Sequence, residues 1–480
     1  MEKTRARYQN IGFFLGPILA VLVLVLPPAE GISLEAWRVI AMALWMATWW
    51  STEAIPVPAT SLIPLIFLPL FGITSPDEAA RPYGDDVIFL LLGGFIIAMA
   101  MQRWNLHKRI ALNILARVGD HPAALIGGFM AAAALLSMWI SNTATTLMMI
   151  PIALSVANAV SGGKKGHTFT IALVLGVAYA SSIGGFGTII GTPPNAIAVG
   201  YLADNHGIDV SFAQWMMFGI PVVFLMVPAA WFVLTKWAFP LKGIRAEKGK
   251  QAIINELKDL GLITTPEKRT AFLFALIAFS WMFRPLLNDL PGLGGLNDMT
   301  IAIAGAVLMF VIPSGSKQIK GAFLLNWEWA VKLPWGVILL FGGGLSLANA
   351  IKITGLSLWL GEALSGLTAF PLLFLMLALI VMVVFLTELT SNTATTAGLM
   401  PVLGALAVVG DYNPLLLAVP AALAASCAFM LPVATAPNAI VFASGQVTIP
   451  QMCKAGFRLN LVAIIIVTTL SYALVPLIFT

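Results

Sequence analysis

Long apolar runs separated by short charged segments recur along the whole chain. They predict helices near 11–27, 36–52, 57–73 and 87–102 in the first part of the sequence. Each approaches the roughly 20 residues a helix needs to cross a bilayer. The polar segments between the runs carry direction. Lys3, Arg5 and Arg7 precede the first span, and Arg103, Lys108, Arg109 and Arg117 follow the fourth. Basic residues favour the cytoplasmic side, so four crossings are expected to start and end inside. Residues 121–163 contain no Asp, Glu, Lys or Arg, and Lys164 and Lys165 close that run. A second uncharged run, 166–203, ends in the acidic stretch "ADNHGID" before a span near 213–235. The segment 236–270 is the largest basic one and is expected in the cytoplasm. It lands there only if 121–163 crosses an even number of times or dips in and returns. Further spans are expected near 271–288, 299–313, 335–352, 367–410, 413–448 and 459–478. Lys317, Lys320, Lys332, Lys454 and Arg458 mark inside loops, so 367–410 must enter from outside and return outside.

Composition agrees with this pattern. The chain of 480 residues is 59% hydrophobic and 10% charged, with a mean hydropathy of +0.94. Soluble domains carry about 25% charged residues, so a polytopic helical membrane protein is expected. The alternating segments of a membrane β-barrel are absent. The net charge of +5 is gathered at span ends and reads as topology, not as a nucleic-acid surface. Cys427 and Cys453 lack metal-ligand spacing and read as small buried hydrophobes. The start of the chain lacks a cleavage pattern and reads as a first transmembrane helix.

Within this apolar background the hexapeptide "SNTATT" occurs twice, at Ser141–Thr146 and Ser391–Thr396. Two further landmarks repeat in the same order: "LLGGF" at 91–95 with "LFGGG" at 340–344, and "GTPPNAI" at 191–197 with "ATAPNAI" at 434–440. With opposite inferred orientations, these predict an inverted-topology repeat, an architecture of secondary transporters with a midplane site. Proline lacks an N–H and disfavours helix before it. Broken helices are therefore expected at 191–195 and Ala434–Asn438. The SNTATT clusters fit the tips of two re-entrant hairpins, with arms such as Ala124–Ile140. Ser and Thr in membrane helices usually serve packing. Duplication, followed each time by a Pro-Asn break, argues for a site instead. Ser137 and Thr387 stand one helical turn before the two tips. Glu53 and Glu388 are the carboxylates nearest the apolar interior, open to either a functional or a structural role. No nucleophile–base or metal constellation is present, so an enzyme is not expected.

These motifs, together with "TEAIP" at 52–56, resemble the divalent anion:sodium symporter family (DASS, INDY-type), and the likeness covers essentially the whole chain. The resemblance implies an all-α membrane protein with eleven transmembrane helices and two re-entrant hairpins. It also implies a homodimer in which a mobile transport domain moves against a fixed scaffold, an elevator mechanism. Motif by motif, it implies a first Na⁺ site from Ser137, Ser141, Asn142 and the backbone at Gly191. A second would use Thr387, Thr390, Asn392 and the backbone at Ala434. The substrate's carboxylates would meet Asn142, Thr143 and Thr192 on one side and Asn392, Thr393 and Thr435 on the other. The chain departs from the family pattern at Ala436, where Pro is usual, and at Thr192, where bacterial relatives often have Ser.

The resulting expectation is Na⁺-coupled symport of a C4-dicarboxylate such as succinate, fumarate or malate. Exchange of dicarboxylates, or carriage of citrate, sulfate or 2-oxoglutarate, is the alternative, and an anion channel a more distant one. The expected divisions are a first scaffold half (1–120), a first transport half (121–240) and a basic linker (241–270). A second scaffold half (271–365) and a second transport half (366–480) follow. The expected setting is the inner (plasma) membrane, with the N-terminus in the cytoplasm and the C-terminus outside. Lipid, Na⁺, a small dicarboxylate and a second copy of the chain are the expected partners.

Overall fold

A computed structural model describes residues 6–162, 166–241, 243–244 and 246–479. Lys3, Arg5, Lys164 and Lys165, used above to orient the loops, lie outside the described residues, as do Lys242 and Arg245 of the basic segment 236–270. No strand occurs among them; one isolated antiparallel bridge joins Pro313 and Phe323. Eight of the described helices are long and apolar enough to cross a bilayer. Five apolar helices are shorter: Val57–Leu70, Pro122–Ser137, Asp298–Val311, Leu372–Thr387 and Leu415–Ala425. Leu34–Thr52 and Thr265–Met282 match the first group in length but begin with charged residues. Local signals set the boundaries. Ser211 with Gln214 and Thr264 with Glu267 form capping boxes at two helix starts, which satisfies otherwise orphaned N–H groups. Gly162 and Gly207, both at positive φ, close two others, where a side chain would be strained.

Two stretches share one element order. Asp86–Arg103, the short Leu106–Arg117 and the antiparallel pair Pro122–Ser137 and Asn142–Ser161 lead into Thr168–Gly184 and Pro193–His206. Trp335–Ile353, Leu356–Ala363 and the pair Leu372–Thr387 and Asn392–Val409 lead into Leu415–Ala425 and Ala436–Ala443. A long helix closes each stretch, Phe212–Phe232 and Ile449–Ile478. The breaks lie upstream of the positions expected from the prolines. Helix stops at Gly184 and resumes at Pro193, and stops at Ala425 and resumes at Ala436. Pro193 and Pro437 occupy the first turn of the second segment, where the missing N–H had no helical partner anyway. Proline starts these helices; the ones before end in non-helical runs, of which the first alone begins with glycine.

The basic segments meet at one end of the molecule. Lys108 pairs with Glu256 at 3.1 Å and Arg109 with Glu267 at 2.6 Å. Trp104 donates to the Leu324 carbonyl, and Arg458 Nη1 to that of Trp237. The open end of the first helix pair lies here, with Val156, Val160 and Leu125 against Gly249 of the linker helix. The open end of the second pair lies elsewhere, with Gly404 against Tyr201 and His206. That neighbourhood is acidic, and Lys352 reaches the Asp204 carbonyl there at 2.9 Å.

Candidate functional site

The four-residue tip between Ser137 and Asn142 turns the chain, and Ser141 caps the helix that follows by accepting from the Ala144 N–H. This places Asn142 at the first helical position. Ser137 Oγ donates to Asn142 Oδ1 at 2.7 Å. The same end of the amide also stands 3.1 Å from the Ser181 carbonyl oxygen and 3.3 Å from that of Gly191. Turned with its nitrogen inward, the amide would donate to all three oxygens. Turned with its oxygen inward, it completes a cluster of four oxygens, the ligand type that unwound helices offer to Na⁺. The cluster is possible because two glycines let the backbone close in. A Cβ at Gly191 would fall 2.5 Å from the Gly185 carbonyl oxygen, and one at Gly185 would fall 3.0 Å from Asn142 Oδ1.

The second tip repeats this arrangement. Thr387 Oγ1 stands 2.7 Å from Asn392 Oδ1 and 2.6 Å from the Ala425 carbonyl oxygen. Thr146 and Thr396 each bond the backbone carbonyl of the tip asparagine at 2.8 Å. The structure thus brings together Ser137, Asn142 and Gly191, and separately Thr387 and Asn392. Ser141 and Thr390 are engaged differently. Ser141 serves the helix cap, while Thr390 Oγ1 bonds Thr395 Oγ1 at 2.6 Å and the Leu386 carbonyl at 2.9 Å. Thr192 is buried just before the restarting helix. Its counterpart Thr435 accepts from the Asn438 N–H at 3.2 Å. Thr143 is exposed and Thr393 half-buried on the first turns. Ala434 is buried, its N–H held by the Leu431 carbonyl. Ala436 is exposed at the position that Pro193 fills in the first stretch.

Sequence reasoning missed the braces of both breaks. Asn195 Nδ2 donates to the Gly185 and Thr188 carbonyls at 2.8 Å each, and Asn438 Nδ2 to the Ala428 and Leu431 carbonyls at 3.1 and 3.0 Å. The two asparagines are fully buried and reach back by the same ten and seven residues. The signal was present, since Asn follows Pro in both repeated motifs, but a break of unknown position hid what the amide would hold. The two candidate carboxylates also separate. Glu53 is exposed at a helix end with a left-handed backbone, whereas Glu388 is buried and fully hydrogen-bonded. Elsewhere, a cavity of about 580 Å³ opens at the acidic end beside Asp85, Asp204, Asp209, Asp298 and Arg284. Burial, and then the neighbouring Asp85, push the Asp204 carboxyl up to about 6. An excess of carboxylates suits cations and opposes a dianion.

The family model described as the sodium:sulfate symporter transmembrane region matches residues 9–479. The chain belongs to this family. Its members are transporters rather than enzymes, and this member is a multi-pass membrane protein. It is 44% identical to the sodium-dependent dicarboxylate transporter SdcS of Staphylococcus saprophyticus, over 98% of this chain and 92% of that one. The SdcS of Staphylococcus aureus (strain bovine RF122) is 43% identical over the same shares. Among solved structures, the fold resembles the YdaH transporter of Alcanivorax borkumensis with a TM-score of 0.63, at 16% identity over 98% of this chain and 99% of that one. MtrF of Neisseria gonorrhoeae gives 0.60 at 14% identity, over 97% of each chain.

Proposed function

We propose that this symporter-family protein carries a C4-dicarboxylate such as succinate, fumarate or malate into the cell together with Na⁺. The observation that carries the reading is the pair of oxygen-lined tips. Ser137, Asn142 and the Ser181 and Gly191 carbonyls form one, and Thr387, Asn392 and the Ala425 carbonyl the other. Neither tip nor either break contains a Lys or Arg. Taking a charge out of water costs several kcal/mol per ion even after relaxation. A dianion held here therefore needs cations brought with it. The oxygens would clasp Na⁺, and the tip amides with Thr143, Thr192, Thr393 and Thr435 would hold the two carboxylates. The SdcS relatives, named as sodium-dependent dicarboxylate transporters, support both Na⁺ and a dicarboxylate as cargo.

The transport cycle we propose is an elevator. The hairpins and broken helices (121–240 and 366–480) move against a scaffold of 1–120 and 271–365, in a homodimer. The two stretches are read as an inverted repeat, with the basic end in the cytoplasm by the positive-inside rule. The N-terminus is then inside and the C-terminus outside. Uptake into proteoliposomes tests the substrate. Labelled succinate, fumarate, malate, citrate, 2-oxoglutarate and sulfate are compared with and without an inward Na⁺ gradient. C4-dicarboxylates are expected to accumulate only with Na⁺. Uptake that ignores Na⁺ but requires internal dicarboxylate would make the protein an exchanger, and accumulation of sulfate or citrate alone would replace the substrate.

A further inference from the structure

The buried carboxylate of Glu388 directly follows Thr387, the residue that joins tip and break in the second half. It is 4% exposed. Oε1 accepts from the Phe429 N–H at 2.8 Å, the Met430 N–H at 2.9 Å and Asn460 Nδ2 at 2.8 Å. Oε2 accepts from the Met430 and Leu431 N–H groups, each at 3.1 Å. All of these partners are donors, the complement of an acceptor-only carboxylate. Three consecutive N–H groups facing one anion form a backbone nest. The held segment is tied onward to the restart of the broken helix. The Leu431 carbonyl accepts from the Ala434 N–H at 3.2 Å and from Asn438 Nδ2 at 3.0 Å.

The first half ties the corresponding positions in the same sense, from break donor to tip acceptor, but with side chain and backbone exchanged. Met138 precedes Asn142 as Glu388 precedes Asn392, and Thr188 precedes Asn195 as Leu431 precedes Asn438. There the Thr188 hydroxyl donates to the Met138 backbone carbonyl. One half therefore locks its tip to its break with a neutral hydroxyl, the other with a buried charge.

We infer that Glu388 is a positioning residue for the second Na⁺ subsite: its carboxylate fixes the backbone at Phe429–Leu431 and so the course of the broken helix that leaves the Ala425 carbonyl against Thr387. This rests on the Na⁺-coupled reading above. Glu388 touches neither ion nor substrate in this account, so its loss acts through the geometry of the break. A glutamine cannot replace it, because its amide N–H groups would confront backbone N–H groups.

The test measures Na⁺ activation of succinate uptake in proteoliposomes for the wild type, Glu388→Gln and Asn460→Ala. Glu388→Gln is expected to raise the half-saturating Na⁺ concentration by at least about tenfold and to lower Na⁺ cooperativity, while the succinate KM at saturating Na⁺ stays within about threefold. Asn460→Ala keeps the charge and removes one donor, so an increase of about two- to fivefold in the same constant is expected. A Glu388→Gln protein with unchanged Na⁺ activation, or one that loses only maximal rate, overturns the inference. If that variant does not fold, Asn460→Ala decides, and unchanged Na⁺ activation there overturns it. Wild-type uptake that is indifferent to Na⁺ would instead remove the underlying reading of the site.

Discussion

At Asn142 a single amide does three things: it starts a helix, receives the Ser137 hydroxyl, and faces two backbone carbonyls from a broken helix. Asn392 stands in the same relation to Thr387. Asn142→Ala and Asn392→Ala are each expected to reduce Na⁺-driven uptake by more than about tenfold while leaving the purified protein monodisperse, since each leaves carbonyl oxygens facing an incompletely held ion. Gly191→Ala should match them for a steric reason, because its Cβ must displace the Gly185 carbonyl. Near wild-type uptake in any of the three would remove that residue from the site. The repeat made these asparagines legible, as it did Ser137 and Thr387. Thr390, which the family resemblance rather than the repeat singles out, has its hydroxyl engaged by Thr395 and the Leu386 carbonyl. The first copy has Ile140 there, leaving the Thr145 hydroxyl without a partner, whereas Thr390 supplies Thr395 with one. Equivalent positions in a repeat share a fold before they share a ligand.

Among the elements, the broken helices show where sequence reasoning stopped. Pro-Pro-Asn and Ala-Pro-Asn announced an interruption, but proline marks the helix start that tolerates it. The unwound residues before it share no pattern: 185–192 holds three glycines, whereas 426–435 holds none and carries Pro432. Their shape comes from the Asn195 and Asn438 braces, with the Thr188 hydroxyl in the first break and the Glu388 carboxylate in the second. The linker illustrates a different gap. Arg109 counted as one more cytoplasmic charge, yet its side chain is 11% exposed and Glu267's 3%, and Arg109 also reaches the Gly261 and Leu262 carbonyls. Burial would raise the Glu267 carboxyl, but hydrogen bonds from Arg109 and Thr264 prevail and hold it below its ordinary value. Removing one partner of such a pair leaves a buried charge alone, so Arg109→Ala or Glu267→Gln should cost about 3–5 kcal/mol. The pair's contribution is present above the unfolded glutamate value of about 4.3 and lost as pH falls through the depressed folded value. Unfolding of detergent-solubilised protein between pH 7 and pH 3 checks this. Both variants should lose most stability at neutral pH and converge toward the wild type in acid; a difference independent of pH would contradict the assignment.

For the molecule as a whole, the distribution of charge along the sequence anticipated its two ends. Loops expected on one side do meet, through Lys108–Glu256, Arg109–Glu267 and Arg458 on Trp237. The two helix pairs open beside different surroundings, one against the linker and one near Tyr201 and His206. The sequence could not show the carboxylate-rich cavity at the acidic end, because Asp85, Asp204 and Asp298 are far apart in the chain and meet only through packing. Nor could span length alone count crossings, since arms such as Pro122–Ser137, about 24 Å at 1.5 Å per residue, fall short of a bilayer core of about 30 Å.

The central claim is that cations supplied with the substrate replace the missing basic side chains. Two Na⁺ would neutralise a dianion, and any further Na⁺ would carry net positive charge inward, worth about 2.3 kcal/mol per 100 mV. The most direct measurement is [¹⁴C]succinate accumulation in proteoliposomes under an inward Na⁺ gradient, with an inside-negative potential imposed or clamped to zero. The account predicts accumulation that requires Na⁺ and increases with the potential. Na⁺-dependent uptake indifferent to the potential would reduce the coupling to neutral two-for-one symport. Accumulation without Na⁺ would contradict the account.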